Sequence, residues 1–229
     1  MLTDLRERLA AGEFVRDFPG EIALVQQYAV SRSTVREALR RLRAEGVVSA
    51  ARGRRPQLAP VEVEQQLGAL ASLFATVEAQ GLVQRSTVRV LEIRADGTAA
   101  ARLELEESTP LLYLERLRLA GGEPLALDRV WLPAAQTMPL LDADFSRTSL
   151  YAELDLRCDV RLTGGREQIR AVQSRGNERA LLGLPADAAL LLVDRTSTRY
   201  GRPFEGRQTV VRGDRYAVTA TYDTQTYQL

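Results

Sequence analysis

The stretch VSRSTVREALRRLRAEGVV (30–48) carries two stripes at helical spacing. Val35, Leu39 and Leu42 recur at i, i+4 and i+7, with Ala38 beside them, and make one apolar face. Arg32, Arg36, Arg40 and Arg43 make a second, cationic face. Ser31 stands where an N-cap belongs, because its hydroxyl accepts from a backbone N–H that the first turn leaves without a partner. Gly46 supplies the left-handed residue that closes such a helix. Upstream, Leu2, Leu5 and Leu9 predict a first helix that Gly12 ends, and Glu21 to Gln27 predict a short second helix after the Pro19-Gly20 break. Downstream, Val47 to Ala51 read as a strand, Arg52-Gly53-Arg54-Arg55 as a tight basic turn, and Pro56 to Ala59 as the returning strand. Three helices followed by a hairpin, the second helix short and the third basic, is the order of a winged helix-turn-helix.

Such a module has a direct physical use. The N-terminus of the third helix enters the major groove, where side chains reach base edges. Arginine suits this task because its planar fork donates twice to guanine. The wing arginines reach phosphates or the minor groove. The plainer alternative is an amphipathic helix whose arginines only solvate its outer face. The coincidence of turn, helix order and basic hairpin argues against it.

The charge distribution agrees. The 229 residues carry 31 basic groups against 30 acidic ones, and every basic residue is arginine. The bland reading of that uniformity is codon usage in a GC-rich genome, so position is more informative than abundance. Residues 1–60 hold 11 Arg against 7 Asp and Glu, whereas residues 61–229 hold 20 against 23. Within 31–58 the balance is 8 against 2, so a polyanion is drawn to that one segment.

The stretch FPGEIALVQQYAVSRSTVREALRRLRAEGVV (18–48) closely resembles the DNA-binding module of the GntR superfamily of transcription regulators. The resemblance implies that Arg32, Ser33, Thr34 and Arg36 touch DNA, with Gly53 at the wing tip and Arg52, Arg54 and Arg55 around it. Two departures stand out. The family usually carries Ser-Glu-Arg after the proline that opens the second helix, and Gly20-Glu21-Ile22 stands here. Its wing usually runs from glycine into Thr-Phe-Val, where this chain has Gly53-Arg54-Arg55-Pro56-Gln57-Leu58.

Pro56 to Val63 reads as a linker, and the expected domains are 1–60 and 61–229. Gln65 to Gln80 predicts a helix with Leu67, Leu70, Leu73, Phe74 and Val77 on one side and Gly81 closing it. Leu111–Leu119 and Leu125–Leu132 flank a turn-rich connection, as do Leu190–Arg199 and Pro203–Arg212, so two hairpins are expected, hinting at an internal duplication. Val160–Val172 reads as a long strand, Thr148–Leu156 and Ser174–Leu182 as helices. The fold class is α+β: the winged helix-turn-helix, then a mixed domain built mainly on an antiparallel sheet.

The order of LLYLERLRLAGGEPLALDRVWLP (111–133), SLYAEL (149–154), REQIRAVQSRGNERALLGLP (166–185) and DRTSTRYGRPFEGRQTVVRGDRY (194–216) resembles the UTRA effector domain of the HutC subfamily. That resemblance implies a chorismate-lyase-like fold with a ligand cleft. It implies anion binding by Arg116 and Arg118, with Ser149 and Tyr151, a serine before the first strand at Ser86, and Glu205 on ligand hydroxyls. Where the family's amino-sugar-phosphate sensors have a further tyrosine, this chain has Val211.

The residues themselves support part of this. Arg116 and Arg118 are two apart on a predicted strand and point the same way, sharing a face with Leu112 and Leu114. Two such charges are costly unless paired or bound to an anion. Either a carboxylate or phosphate ligand or pairing with an acid such as Asp128 answers that need. Glu205 serves equally as a cross-strand ion-pair partner, Asp214 and Tyr216 as ties for the last hairpin, Trp131 as core, and Cys158 as a small buried residue.

Among functions, the leading reading is a sequence-specific DNA-binding regulator, a repressor, controlled by a small anionic metabolite. It would be a cytoplasmic homodimer on a two-fold operator, without cofactor, metal or membrane attachment. The alternatives are a non-specific DNA-binding protein and a chorismate-lyase-like enzyme fused to a DNA-binding module. With no histidine and one cysteine, the common nucleophile–base pairs are absent, and no phosphate-cradling glycine loop appears.

Overall fold

The computed structural model describes residues 1–10, 13–14, 18–44, 48–49, 57–58, 63–67, 72–173, 176–185 and 188–221. The chain divides into two compact units, Met1–Val61 and Glu62–Leu229.

In the first unit, α1 (Leu2–Ala10), α2 (Glu21–Tyr28) and α3 (Arg32–Ala44) precede a short antiparallel pair, β1 (Val48–Ser49) and β2 (Gln57–Leu58). Leu5, Leu24, Val35, Leu39 and Leu42 are fully buried together, with Phe14, Phe18 and Val48 completing the core. The apolar stripe of α3 thus faces inward, and its arginines stay outside. Gly12, Gly46 and the turn residues Arg52 to Arg55 lie outside the described residues.

The second unit is organised by a six-stranded antiparallel sheet in the order β4-β5-β6-β9-β8-β7. Its strands are β4 (Gln84–Ala95), β5 (Pro110–Ala120), β6 (Glu123–Pro133), β7 (Gly164–Gln173), β8 (Ala189–Arg199) and β9 (Arg202–Arg212). Two short strands, β3 (Val63–Gln66) and β10 (Tyr216–Thr219), pair in parallel apart from it. The helices are α4 (Leu73–Ala79), α5 (Gly97–Arg102), α6 (Ala134–Thr137), α7 (Leu150–Cys158) and α8 (Gly176–Leu182), with a 3-10 turn over Met138–Asp142.

The hinted duplication is regular. β5 begins at 110 and β8 at 189; β6 begins at 123 and β9 at 202; α5 begins at 97 and α8 at 176: each counterpart lies 79 residues on. Both long hairpins close through two residues at positive φ, Gly121-Gly122 (61° and 85°) and Tyr200-Gly201 (52° and 77°). That geometry matches the right-handed twist of the flanking strands. Both hairpins also shift register at the same step, between Arg118 and Leu119 and between Ser197 and Thr198. The two halves meet where β6 pairs with β9, with Arg129 opposite Gln208.

One face of the sheet holds two apolar clusters. Leu112, Leu114, Val130 and Leu132 pack with Leu140, Phe145, Leu150 and Leu154. Ala120, Leu125, Ala126, Val193 and Val211 pack with Val63, Leu73, Val77 and Tyr216. Between them the same strands place Arg116, Arg118, Asp128, Arg195, Glu205, Arg207 and Thr209, all buried.

Three expectations need correction. The helix expected over Gln65–Gln80 is a strand, β3, and then a shorter helix that Ser72 caps by accepting from Ala75 N at 3.1 Å. Val63 and Gln65 are buried and Glu64 and Gln66 exposed, so a period-two register against β10 overrides the helical spacing of the leucines; Leu67 is half exposed. The strand expected from Val160 begins at Gly164. Val160 donates to the Leu154 carbonyl at 3.0 Å and closes α7, with Asp159 left-handed at φ 51°. Ser86, expected before the first strand of the domain, lies within β4, which the reading of the sequence does not delineate.

Candidate functional site

The first unit presents the N-terminal turn of α3 to solvent. Ser31 Oγ accepts from Thr34 N at 3.2 Å and lies 2.7 Å from Ser33 Oγ and 2.9 Å from Thr34 Oγ1. Arg32, Ser33, Thr34 and Arg36 are all exposed on this turn. The Arg36 side chain is 70% exposed, and its Nε donates to Glu21 Oε2 at 3.1 Å. Further along, Arg40 donates to both Glu37 oxygens at 2.9 and 2.8 Å, and Arg41 adds a bond at 3.2 Å. These two guanidiniums bring the Glu37 carboxyl down to about 2. Arg52, Gly53, Arg54 and Arg55 lie outside the described residues.

In the second unit the buried polar belt centres on Asp128. Arg116 stands directly opposite it in the β5–β6 register, and Thr209 directly opposite it in the β6–β9 register. Arg116 Nη2 donates to Asp128 Oδ2 at 2.5 Å, Arg118 Nη1 to the same oxygen at 3.5 Å, and Thr209 Oγ1 to Oδ1 at 2.9 Å. Arg207 Nε lies 3.8 Å from Oδ1. Burial by itself raises the Asp128 carboxyl, but Arg207, Arg116 and Arg118 outweigh it and hold it below the usual carboxylate range.

One carboxylate does not satisfy these cations. Arg116 Nε and Nη1 and Arg118 Nε and Nη2 are buried without a hydrogen-bond partner among the described residues. Burial, and then the neighbouring Arg116, bring Arg118 down to about 9. The guanidinium stays protonated at neutral pH, so the depression marks a charge short of counter-charge. Each buried donor left open costs about 1–3 kcal/mol.

A second group lies beside the first. Glu205 is fully buried and accepts from Arg207 Nε at 2.9 Å, Ser197 Oγ at 2.6 Å and Tyr151 OH at 3.0 Å. Arg195 donates to Tyr151 OH at 3.2 Å and to Glu167. Arg207 also lies 5.1 Å from the Tyr151 ring centre. Burial opposes the Arg207 charge, yet Glu205, Tyr151 and Asp128 raise it. Arg195, Arg207, Thr209 and Val211 line a cavity of about 20 Å³ together with Gln65, Leu73, Val193 and Tyr216. That is room for about one water.

The fold therefore brings Ser86, Arg116, Arg118, Tyr151 and Glu205 to one belt. Ser86 stands opposite Arg118 in the β4–β5 register and accepts from Gln84 at 2.9 Å. Ser149 caps α7, the helix that carries Tyr151, accepting from Ala152 N at 3.0 Å. Trp131 is half-buried and donates from its indole to Asp96 at 3.1 Å. The reading of single residues misses Arg195, Ser197 and Arg207. The duplication is the signal for them, since they are the 79-residue counterparts of Arg116, Arg118 and Asp128.

Residues 3–56 match the gntR family of bacterial regulatory proteins, and residues 79–217 match the UTRA domain. The chain belongs to the GntR family of transcription regulators. Among its relatives, the transcriptional repressor PhnF of Mycolicibacterium smegmatis is 33% identical over 93% of this chain and 88% of that one. The repressor NagR of Bacillus subtilis is 27% identical over 94% and 90%. The histidine utilization repressor of Klebsiella aerogenes is 27% identical over 89% and 84%. The crystal structure of PhnF from Mycobacterium smegmatis superposes with a TM-score of 0.69 at 31% identity, covering 90% of this chain and 92% of that chain. This GntR regulator is thus a DNA-binding transcription regulator and not an enzyme, with a UTRA domain on an antiparallel sheet. No helix among the described residues is long and apolar enough to cross a membrane.

Proposed function

We propose that this regulator is a repressor whose affinity for its operator is set by a small anion held in the polar belt of the UTRA domain. The observation that carries the reading is the pair of buried guanidiniums, Arg116 and Arg118, which among the described residues have four nitrogens unpartnered and a single carboxylate between them. Arginine forks match the oxygens of a phosphate, phosphonate or carboxylate. Ser86, Tyr151 and Glu205 supply hydroxyl and carboxylate groups around the anion, and Ser149 holds the helix that carries Tyr151. Val211, in place of a tyrosine, makes that flank of the belt apolar. The regulator acts as a cytoplasmic homodimer on a two-fold operator. Arg32, Ser33, Thr34 and Arg36 read the major groove, and the wing residues Arg52, Gly53, Arg54 and Arg55 hold the backbone or minor groove. The anion controls repression by binding one arrangement of the dimer more tightly than the other.

The test is a thermal-shift series with inorganic phosphate, a phosphonate, a sugar phosphate and a dicarboxylate. A ligand at about a hundred times its dissociation constant stabilises by about 2.7 kcal/mol. At least one of these anions raises the melting temperature and lowers operator affinity. The double variant Arg116→Met, Arg118→Met loses both responses and still binds operator. Retained responses in that variant would place the effector elsewhere.

A further inference from the structure

The duplication gives the second unit two equivalent grooves, each at the tip of one long hairpin, and side chains of the chain plug only one of them. At the β5–β6 tip, Arg215 donates to the carbonyls of Ala120 at 3.1 Å and Pro124 at 3.3 Å. Arg212 donates there to the carbonyls of Pro124 at 3.5 Å and Leu182 at 3.4 Å. At the β8–β9 tip the residues 79 positions away from these two arginines are Pro133 and Gln136. Pro133 has no donor to give, and Gln136 Oε1 accepts from Arg199 Nη1 at 3.3 Å. What remains is a cavity of about 620 Å³, the size of a small-molecule site.

Three charges line this cavity without a counter-charge among the described residues, Arg199, Arg202 and Glu104. Arg199 is held only by neutral acceptors, Gln136 and the Asp159 carbonyl at 3.0 Å, and its Nε is buried without a partner. Glu104 has a left-handed backbone, φ 58°, where its counterpart Gly183 has φ 64°. A side chain is disfavoured in that conformation, so this carboxyl stands at the cavity against local preference. The walls are apolar at Leu105, Pro133 and Phe204. At the rim the Tyr200 ring is 81% exposed, with the Arg199 guanidinium 5.1 Å from its centre.

We propose that this cavity is a second ligand site, separate from the polar belt, for a zwitterionic amino acid with an apolar side chain. The ligand carboxylate meets Arg199 and Arg202, whose forks match its two oxygens. The ammonium meets Glu104, and the side chain packs on Leu105, Pro133 and Phe204 under the Tyr200 ring. A plain anion leaves Glu104 facing like charge, and a plain cation leaves the two arginines so; a zwitterion answers all three.

The experiment is calorimetric titration of the full chain with L-phenylalanine, with 3-phenylpropanoate, which lacks the amine, and with 2-phenylethylamine, which lacks the carboxylate. Phenylalanine binds saturably at one site per chain, and each analogue binds at least about tenfold more weakly, the loss of one charge-assisted contact. Glu104→Gly closes the gap between phenylalanine and 3-phenylpropanoate. It folds, because glycine is the residue best suited to that backbone. Arg202→Gln, at an exposed position, closes the gap between phenylalanine and 2-phenylethylamine. Gln136→Arg rebuilds the plug of the other groove and abolishes binding of all three. The double variant Arg116→Met, Arg118→Met binds phenylalanine as the wild type does. Absence of saturable binding at millimolar phenylalanine overturns the proposal, as do analogue gaps that Glu104→Gly and Arg202→Gln leave unchanged. Loss of phenylalanine binding in the Arg116 and Arg118 double variant assigns the ligand to the belt and overturns it too.

Discussion

Asp128 is the residue on which the belt turns. It is shared by Arg116 and Arg118 and approached by Arg207, all buried to within a few per cent. Removing one partner of a buried charge cluster leaves the others uncompensated, which costs about 3–5 kcal/mol. Asp128→Asn is therefore expected to lower the unfolding free energy by about that amount in a urea titration, and added phosphate to recover part of it. The pH dependence has a definite sign. The folded carboxyl is held below its unfolded value of about 3.9, so its contribution is present above that pH and is lost as pH falls below it. The wild type should lose its advantage over Asp128→Asn below pH of about 4. A constant difference between the two proteins down through that window would count against the pairing.

At the scale of elements, local chemistry and long-range pairing divide the work. α3 is fixed locally, since cap, apolar stripe and charged face all agree within its own sequence. α7 is fixed at both ends, by Ser149 at the start and left-handed Asp159 at the finish. Ser149→Ala should cost about 1 kcal/mol of stability, read by denaturant unfolding. If Ser149 acts only through α7, anion affinity changes little once the variant is folded. β3 shows the opposite case. Its leucine-rich surroundings suit a helix, and only the parallel pairing with β10, some 150 residues on, makes it a strand. No window of local sequence contains that partner. The start of β7 is hidden for a similar reason: Val160 looks like a strand residue until α7 claims it as its closing residue.

For the whole molecule, charge is partitioned between two compact units, the first net positive and the second net negative. DNA affinity should therefore be strongly salt-dependent through the first unit alone. Arg54→Ala is expected to weaken binding to all duplexes alike and to reduce the slope of log affinity against log salt by about 0.9 for each phosphate that is no longer neutralised. A weakening confined to one operator sequence would show instead that Arg54 reads bases.

Sequence alone determined the three-helix module with its outward arginines, the two hairpins and the Arg116–Arg118 pair, because each follows from periodicity, capping or turn chemistry within a few residues. Tertiary structure decided that Arg116 and Arg118 share Asp128, that Arg195, Ser197 and Arg207 join them, and that Glu205 is met by three donors at once. Cross-strand neighbours are set by register, and burial sets how much a missing counter-charge matters. Neither quantity exists until the two halves of the sheet have come together.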